Sequence, residues 1–190
     1  MERIILASTS EWRRKLLQNA GIHVQTVGSG VDESLCLEAD PAERALVLAR
    51  WKAEAVISKY PNEVVLGSDQ VVWDGRKIIG KPKDRVEHLA MLNSYRGSSH
   101  QLYTGISMHY GPLHQAHVVC TRMEVRADLT DLELQAYVDT EEGRYCAGGY
   151  AIEGRGGFLF SGIDGDWFNV VGLPLFQVIS VLRQWGWRYE

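Results

Sequence analysis

Several features that would assign this chain to a familiar class are missing from its sequence. Its three cysteines, Cys36, Cys120 and Cys146, are widely spaced and form no Cys-x-x-Cys pair, so neither a zinc ribbon nor a disulfide framework is indicated. No run approaches the roughly 20 apolar residues that span a bilayer, and no basic segment followed by an apolar stretch marks a secretory signal. We therefore expect a cytoplasmic protein with no membrane partner.

The chain also lacks an excess of positive charge. Its formal net charge is −4, its pI is about 5.9, and it has no acidic or basic tail. Proteins that bind long nucleic acids usually present a basic face, so such a partner is not expected. A small phosphorylated ligand held by a few local cations remains compatible. The length of 190 residues, of which 45% are hydrophobic, predicts one domain over residues 1–190, with two lobes around a cleft.

Strands and helices alternate in the predicted order of elements. Apolar periodicity and start signals such as Asp40-Pro41 predict helices over residues 11–19, 41–59, 86–95, 131–140 and 175–185. Apolar runs predict strands over residues 3–7, 23–27, 64–66, 71–73, 77–79, 101–110 and 117–125. Residues 28–40 are expected to form a loop on the cleft rim, and residues 148–166 a hairpin with loops. This order predicts an α/β fold, a mixed twisted sheet with flanking helices.

The first strand and helix predict a phosphate site. A short polar loop joins them, and a strand-to-helix junction aims backbone N–H groups and the positive end of the helix dipole outward. Ser8 and Ser10 add hydroxyl donors, and Arg13 and Arg14 add guanidinium groups that match phosphate oxygens. The alternative is that Ser10 is a plain N-cap and that the two arginines form a solvated helix face.

Two carboxylates are candidates for chemistry. Asp69 is predicted just past the strand over residues 64–66, where carboxylates of α/β proteins line ligand crevices. Such a group can hold a divalent metal or activate a water, although it can also cap a turn. Glu33 lies in the loop over residues 28–40, and alone it is weak support because most loop carboxylates are only solvated.

Two lysines and a threonine complete the candidate set. Lys81 lies between Gly80 and Pro82, which would hold it on a fixed loop. Lys52 could point at the same anion, although its position on a helix face favours a solvated lysine. Thr104 precedes a glycine and interrupts a strand, which would permit close approach of a ligand. No Gly-x-Ser-x-Gly elbow or Walker motif occurs, so neither a serine hydrolase nor a P-loop enzyme is indicated.

Taken together, these segments resemble the Maf family of nucleoside-triphosphate pyrophosphatases. The matching motifs follow in the family's order: LASTSEWRR at 6–14, VDE at 31–33, KA at 52–53, GSDQ at 67–70, GKP at 80–82, YTG at 103–105, AGGY at 147–150, EG at 153–154 and VGLPL at 171–175. One departure is clear, because Glu11 stands where the family usually has proline. A carboxylate there would weaken phosphate binding.

The resemblance implies a fold like that of the inosine-triphosphate pyrophosphatases and hydrolysis of a nucleoside triphosphate to the monophosphate and pyrophosphate. It implies a divalent metal, Mg²⁺ or Mn²⁺, held by Asp69 and Glu33. Asp69 would also be the catalytic proton acceptor, and Glu33 would orient the attacking water. The substrate-binding residues would be Ser8, Ser10, Arg13, Arg14, Lys52, Lys81 and Thr104. A homodimer stays open.

Three further positions correlate with base preference in the family, and they hold Trp12, Gln70 and Glu153 here. The branch for dTTP and UTP typically has arginine, threonine and glutamine, so this set resembles the 7-methyl-GTP branch. An indole stacks well on a cationic 7-methylguanine, and a carboxylate accepts from the N1 and N2 donors of guanine.

Two alternatives stay open. One is a dTTP/UTP pyrophosphatase, which the segment GYAI at 149–152 favours. The other is a weakly catalytic nucleotide-binding regulator of cell division, which Glu11 keeps open. For Trp12 and Glu153 themselves, the alternative to base recognition is a core tryptophan and a solvated glutamate.

Overall fold

The computed structural model describes residues 3–189, which fold around one seven-stranded mixed sheet. The strands are β1 (Ile4–Leu6), β2 (Val24–Thr26), β3 (Val64–Trp73), β4 (Ile78–Ile79), β5 (Ser99–Tyr110), β6 (Leu113–Val125) and β7 (Phe160–Asp164). Their order is β2-β1-β3-β5-β6-β7, and β4 pairs with β3. The β1 strand is parallel to β2 and β3, whereas the remaining pairs are antiparallel. The predicted mixed α/β class is confirmed.

Six α-helices flank this sheet, and capping side chains explain where most of them begin. They are α1 (Glu11–Asn19), α2 (Pro41–Ile57), α3 (Arg85–Tyr95), α4 (Asp131–Asp139), α5 (Trp167–Val171) and α6 (Leu175–Gln184). The hydroxyl of Ser10 and the carboxylates of Asp40 and Asp84 accept from backbone N–H groups of the first turn. Thr130 forms a capping box with Glu133. The predicted bounds of α1 are matched at both ends.

The β3 strand differs from the prediction in a way that moves Asp69. Residues 64–66 and 71–73 were expected to be separate strands with a polar loop between them, but one ten-residue strand covers both. A Cβ atom at Gly67 would overlap the backbone of α2 at Ala49 and Ala53, so glycine lets that helix pack directly on the strand. Asp69 is therefore in the middle of a strand, paired with Gly105 of β5, and not at a strand end.

The Thr104-Gly105 pair also serves packing and not ligand approach. A Cβ atom at Gly105 would overlap the backbone of α2 at Ala45, so the open space predicted for a ligand is filled by this helix. Thr104 is fully buried, and its Oγ1 accepts a hydrogen bond from Nε2 of Gln70 at 3.1 Å. The predicted contact of Thr104 with substrate stays a prediction, and in this structure Thr104 instead supports Gln70.

The chain from residue 141 onward is the part least well predicted. Instead of a hairpin, residues 148–166 contain parts of two 3₁₀ turns, Ala147–Gly149 and Arg155–Leu159, and the single strand β7, which pairs with β6. The α5 helix was not expected, because five residues are too few to show helical periodicity. A third 3₁₀ turn, Glu33–Leu35, interrupts the predicted rim loop.

The buried side chains form separate groups on two sides of a cleft. One group packs α1 and α6 against β1 and the first half of β3, and includes Leu6, Leu17, Leu66 and Val178. Another packs α3 and α4 against β5 and residues 150–152, and includes Leu92, Leu102, Leu134 and Tyr150. Within residues 3–189, no helix is long and apolar enough to cross a membrane.

Candidate active site

A cleft of about 840 Å³ brings together most of the residues singled out in the sequence. Its walls are residues 8–13, 69–71, 78–81, 145–147, 150–153 and 170–172, with Glu33, Arg44, Leu48, Lys52, Leu102 and Glu142. Of the predicted site residues, those in the cleft are Ser8, Ser10, Trp12, Arg13, Glu33, Lys52, Asp69, Gln70, Lys81 and Glu153. Arg14 and Thr104 are not among them.

The centre of the site is Lys52, on which two carboxylates converge. Its Nζ lies 2.5 Å from Oδ1 of Asp69 and 2.7 Å from Oε1 of Glu33. The α2 helix delivers Lys52, β3 delivers Asp69, and the rim loop delivers Glu33. Lys52 is only 8% exposed, so the solvated lysine that its helix position favoured is not what the fold forms. A buried ammonium requires such partners, because an unpaired buried charge is very costly.

Lys52 lowers the pKa of both carboxyl groups, but the net shifts of the two groups have opposite directions. Burial raises the pKa of Asp69 above its ordinary value, and the Lys52 and Arg13 charges offset this only in part. Burial also opposes ionisation of Glu33, but there the hydrogen bond and charge of Lys52 prevail and lower the pKa. The site therefore pairs a carboxylate held ionised with a more basic one, which suits Asp69 to accept a proton.

Arg13 is anchored in the cleft wall by backbone carbonyls. Its Nε donates to the carbonyl of Gly172 at 2.8 Å, and its Nη1 donates to the carbonyl of Ser68 at 2.9 Å. The hydroxyl of Ser8 accepts from the same Nη1 at 3.3 Å and from the backbone N–H of Ser10 at 3.2 Å. Burial lowers the pKa of Arg13, whereas the nearby carboxylates raise it. The guanidinium is thus held in place beside Asp69 before any ligand arrives.

Arg14 points away from this cleft. Its Nη1 donates to Gln18 at 3.0 Å, and its Nη2 forms an ion pair with Glu11. Glu11, Trp12 and Arg13 of α1 line the cleft, whereas the side chain of Arg14 extends along the helix to Glu11 and Gln18. The expectation that Arg14 holds substrate is therefore not supported by its position. Glu11, which replaces the family's usual proline, has Arg14 as its partner.

Lys81 and Gln70 occupy other parts of the walls. Lys81 is exposed and borders the cleft beside Gly80. Nε2 of Gln70 donates to Thr104 and, at 2.7 Å, to the carbonyl of Asn169, so this amide is tied to the protein.

Trp12 and Glu153 form a separate part of the cleft. Trp12 is 41% exposed, which excludes the core position considered for it, and Nζ of Lys15 lies 4.9 Å from its ring centroid. Burial raises the pKa of Glu153, and Glu142 raises it further. Glu142 also accepts from the backbone N–H of Gly156 at 3.2 Å. The sequence analysis missed both Glu142 and Lys15, because each looks like an ordinary surface charge in a polar segment.

The donor set restricts the kind of metal site available. No group of three or more His, Cys, Asp or Glu side chains able to hold a metal occurs in the part of the chain that the structure describes. Asp69 and Glu33 converge, however, and Mg²⁺ is commonly bound by one or two carboxylates together with substrate phosphates and water. These two residues therefore fit a divalent metal that binds with a phosphorylated substrate, and they do not form a closed metal cage.

Comparison with known proteins places this sequence among named relatives. The sequence matches the family described as Maf-like protein over residues 3–185. It is 40% identical over 188 residues to the dTTP/UTP pyrophosphatase of Symbiobacterium thermophilum, covering 98% of this chain and 96% of that protein. It is 41% identical over 184 residues to the dTTP/UTP pyrophosphatase of Deinococcus radiodurans, covering 97% and 93%. It is 38% identical to the nucleoside triphosphate pyrophosphatase of Rhodopseudomonas palustris, covering 95% and 93%.

A solved structure, the Ham1 protein of Staphylococcus aureus, matches 66% of this chain and 72% of its own, with 15% identity and a TM-score of 0.40. A likeness at that level carries no argument about function. The family match covers nearly the whole described chain, and the relatives are well above 30% identity over nearly their full length. The chain belongs to the Maf family.

Proposed function

We propose that this chain hydrolyses a nucleoside triphosphate to the monophosphate and pyrophosphate. The observation that carries the proposal is the convergence of Asp69 and Glu33 on buried Lys52, beside an anchored Arg13, in one cleft. A triphosphate needs several fixed cations, and its hydrolysis needs a base for water. The names of the relatives, pyrophosphatases at 38–41% identity, support the same reaction.

In this proposal Asp69 accepts the proton of the attacking water as the anhydride bond between the α- and β-phosphates breaks. Its raised pKa favours that role, because a base works best when its pKa approaches the operating pH. Glu33, held ionised by Lys52, orients the water. Asp69 and Glu33 would also hold Mg²⁺ or Mn²⁺, which when bound supplies charge neutralisation at the phosphate oxygens.

Arg13, Lys52 and Lys81 are the proposed phosphate ligands. The guanidinium of Arg13 is already fixed by Gly172 and Ser68, so little side-chain entropy is lost when an anion binds. The hydroxyls of Ser8 and Ser10 lie on the same wall. Arg14 is left out of this set because it pairs with Glu11 and does not line the cleft.

For the base, dTTP and UTP are the first expected substrates. Two of the relatives reported above, at 40% and 41% identity over nearly the whole chain, are named dTTP/UTP pyrophosphatase, which supports this reading over the 7-methyl-GTP branch inferred from three positions.

A second candidate, 7-methyl-GTP, is retained for one specific observation. Trp12 and the carboxyl groups of Glu142 and Glu153 line the same cleft, and an aromatic ring with nearby carboxylates is a setting that attracts a cationic base. The two candidates share the chemistry at Asp69 and differ only in the base.

One assay tests both the reaction and the choice of base. It measures turnover of dTTP, UTP, GTP and 7-methyl-GTP, each with Mg²⁺, with Mn²⁺ and with a chelator. We expect equal amounts of pyrophosphate and nucleoside monophosphate to be released, and we expect this release to stop when a chelator is present. Orthophosphate as the first product would contradict the reaction. Nucleotide binding without pyrophosphate release would favour the alternative of a nucleotide-binding regulator.

A further inference from the structure

The charged side chains in and beside the cleft fall into two groups, and Lys15 of the second group lies beside the cleft without lining it. The pKa values of Asp69 and Glu33 respond to Lys52 and Arg13, whereas that of Glu153 responds to Glu142 and Lys15. The first group holds the cations suited to a triphosphate. The second group lies where Trp12 offers an exposed aromatic ring, which is the surface suited to a nucleobase.

Lys15 occupies the cation-binding position of that ring. It follows Trp12 by three residues on α1, so the two side chains are neighbours on one helix face. Its Nζ lies 4.9 Å from the ring centroid, within the roughly 6 Å range of a cation–π contact. Among the described contacts of residues 3–189, the Lys15 ammonium makes no hydrogen bond or close ion pair, so the indole is its direct partner.

We propose that Lys15 is a specificity-determining residue that selects against a cationic base and for a neutral base bearing carbonyl oxygens. A 7-methylguanine ring stacked on Trp12 would bring its positive charge toward the ammonium that already uses this ring. Uracil and thymine carry no charge and offer carbonyl oxygens to which an ammonium donates. The inference rests on the proposed function, because it assumes that a nucleotide binds this cleft.

This inference explains why Trp12 and Glu153 can be present in a protein whose relatives are named for dTTP and UTP. Both residues favour a cationic base when considered alone. The ammonium of Lys15 lies at the ring of Trp12, and its positive charge acts on the carboxyl group of Glu153, so it repels a positive ring that either residue alone would attract. The charge of the base site therefore depends on Lys15 as well as on the two residues that it adjoins.

The test compares Lys15→Met with Lys15→Arg and with Lys59→Met. Methionine keeps an unbranched apolar side chain but removes the charge, arginine restores a cation, and Lys59 is an exposed lysine outside the cleft. The measured quantity is kcat/KM for 7-methyl-GTP divided by that for GTP, two purines that differ by one methyl group and one charge. UTP is measured in parallel.

We expect Lys15→Met to raise the ratio of 7-methyl-GTP to GTP on the order of tenfold, the range of a partly desolvated cation–π contact. It should also lower kcat/KM for UTP. Lys15→Arg should return the ratio toward that of the wild type, and Lys59→Met should leave it unchanged. A ratio within twofold of the wild type in Lys15→Met, or the same rise in Lys59→Met, would overturn the proposal.

A binding measurement separates this result from failure of the proposed reaction. Dissociation constants of the same nucleotides are measured by calorimetry for Asp69→Asn and for Asp69→Asn with Lys15→Met. If the wild type releases no pyrophosphate, the reaction is refuted, and the shift in the binding ratio still decides the role of Lys15. If none of the nucleotides binds, both proposals are wrong.

Discussion

Replacing Asp69 by Asn tests the proposed catalytic group with the least disturbance of the fold. The amide has the same shape, and its oxygen can still accept from Lys52, which also keeps its contact with Glu33 at 2.7 Å. The amide cannot accept a proton or supply a negative charge to a metal. Only the chemistry proposed for Asp69 is therefore removed.

The expected loss follows from the position of Asp69. The side chain is buried, with 7% of the residue exposed, so bulk water cannot easily replace it as a base. Loss of a general base typically costs about 10² to 10⁴ in rate, so we expect kcat to fall at least ~100-fold. The amide removes one charge partner of buried Lys52, which destabilises the fold, but Glu33 still pairs with that ammonium and the cost of burying an ionised group at position 69 is relieved, so the two effects oppose each other. We expect a Tm within about 4 °C of the wild type, since 1 kcal/mol shifts a chain of this size by roughly 2–4 °C.

The assay is pyrophosphate release with saturating UTP and Mg²⁺, together with thermal unfolding of the same preparations. Asp164→Asn is the matched control, because Asp164 is exposed on β7 and outside the cleft. The wild-type rate should also fall as the pH drops through the pKa of Asp69, at a pH above its ordinary value of 3.8. If Asp69→Asn kept more than a third of the wild-type rate, Asp69 would not be the proton acceptor.

Three further predictions concern other parts of the molecule. Lys81→Ala should raise KM roughly tenfold or more, because it removes one charge-assisted contact with phosphate. Arg14→Ala should leave KM unchanged, because Arg14 does not line the cleft. Equal effects of the two variants on KM would contradict the placement of Arg14 outside the cleft. Gly105→Ala should destabilise the fold by about 1–3 kcal/mol or more in chemical unfolding, because its methyl group would meet the backbone of α2, and a neutral result would contradict that packing. His100 is buried with a pKa lowered to about 4 by burial and bonds the hydroxyl of Tyr150 at 2.6 Å. The free energy of unfolding should therefore decrease as pH falls from about 6.5 to about 4, and this part of the decrease, about 3 kcal/mol, should be absent in the double variant His100→Phe with Tyr150→Phe.

The elements that were well predicted depend on neighbours along the chain. Asp40 caps α2 as expected, because an N-cap hydrogen bond joins residues only two or three positions apart. The α5 helix and the turns of residues 147–159 were missed, since short segments carry no measurable periodicity. Their shapes depend on contacts with distant strands.

The candidate site also has some features that the sequence predicts and others that depend on the fold. The residue types of Arg13, Lys81 and Asp69 indicate phosphate chemistry, because cationic and carboxylate side chains can be recognised from the sequence without knowledge of the fold. The burial of Lys52 could not be recognised from the sequence, because its partners Asp69 and Glu33 lie 17 and 19 positions from it along the chain.

The sequence by itself determined the family, the α/β class and the helix starts, since these depend on ordered motifs, apolar periodicity and local hydrogen bonds. Only the tertiary structure decided that β3 is continuous through Asp69 and that Lys52 is buried between Asp69 and Glu33. Each of these depends on direction in space: the rotation of a helix about its axis and the close approach of α2 at Gly67. The order of residues limits the directions that a helix or a strand can take, and the packing of the folded chain selects one of them.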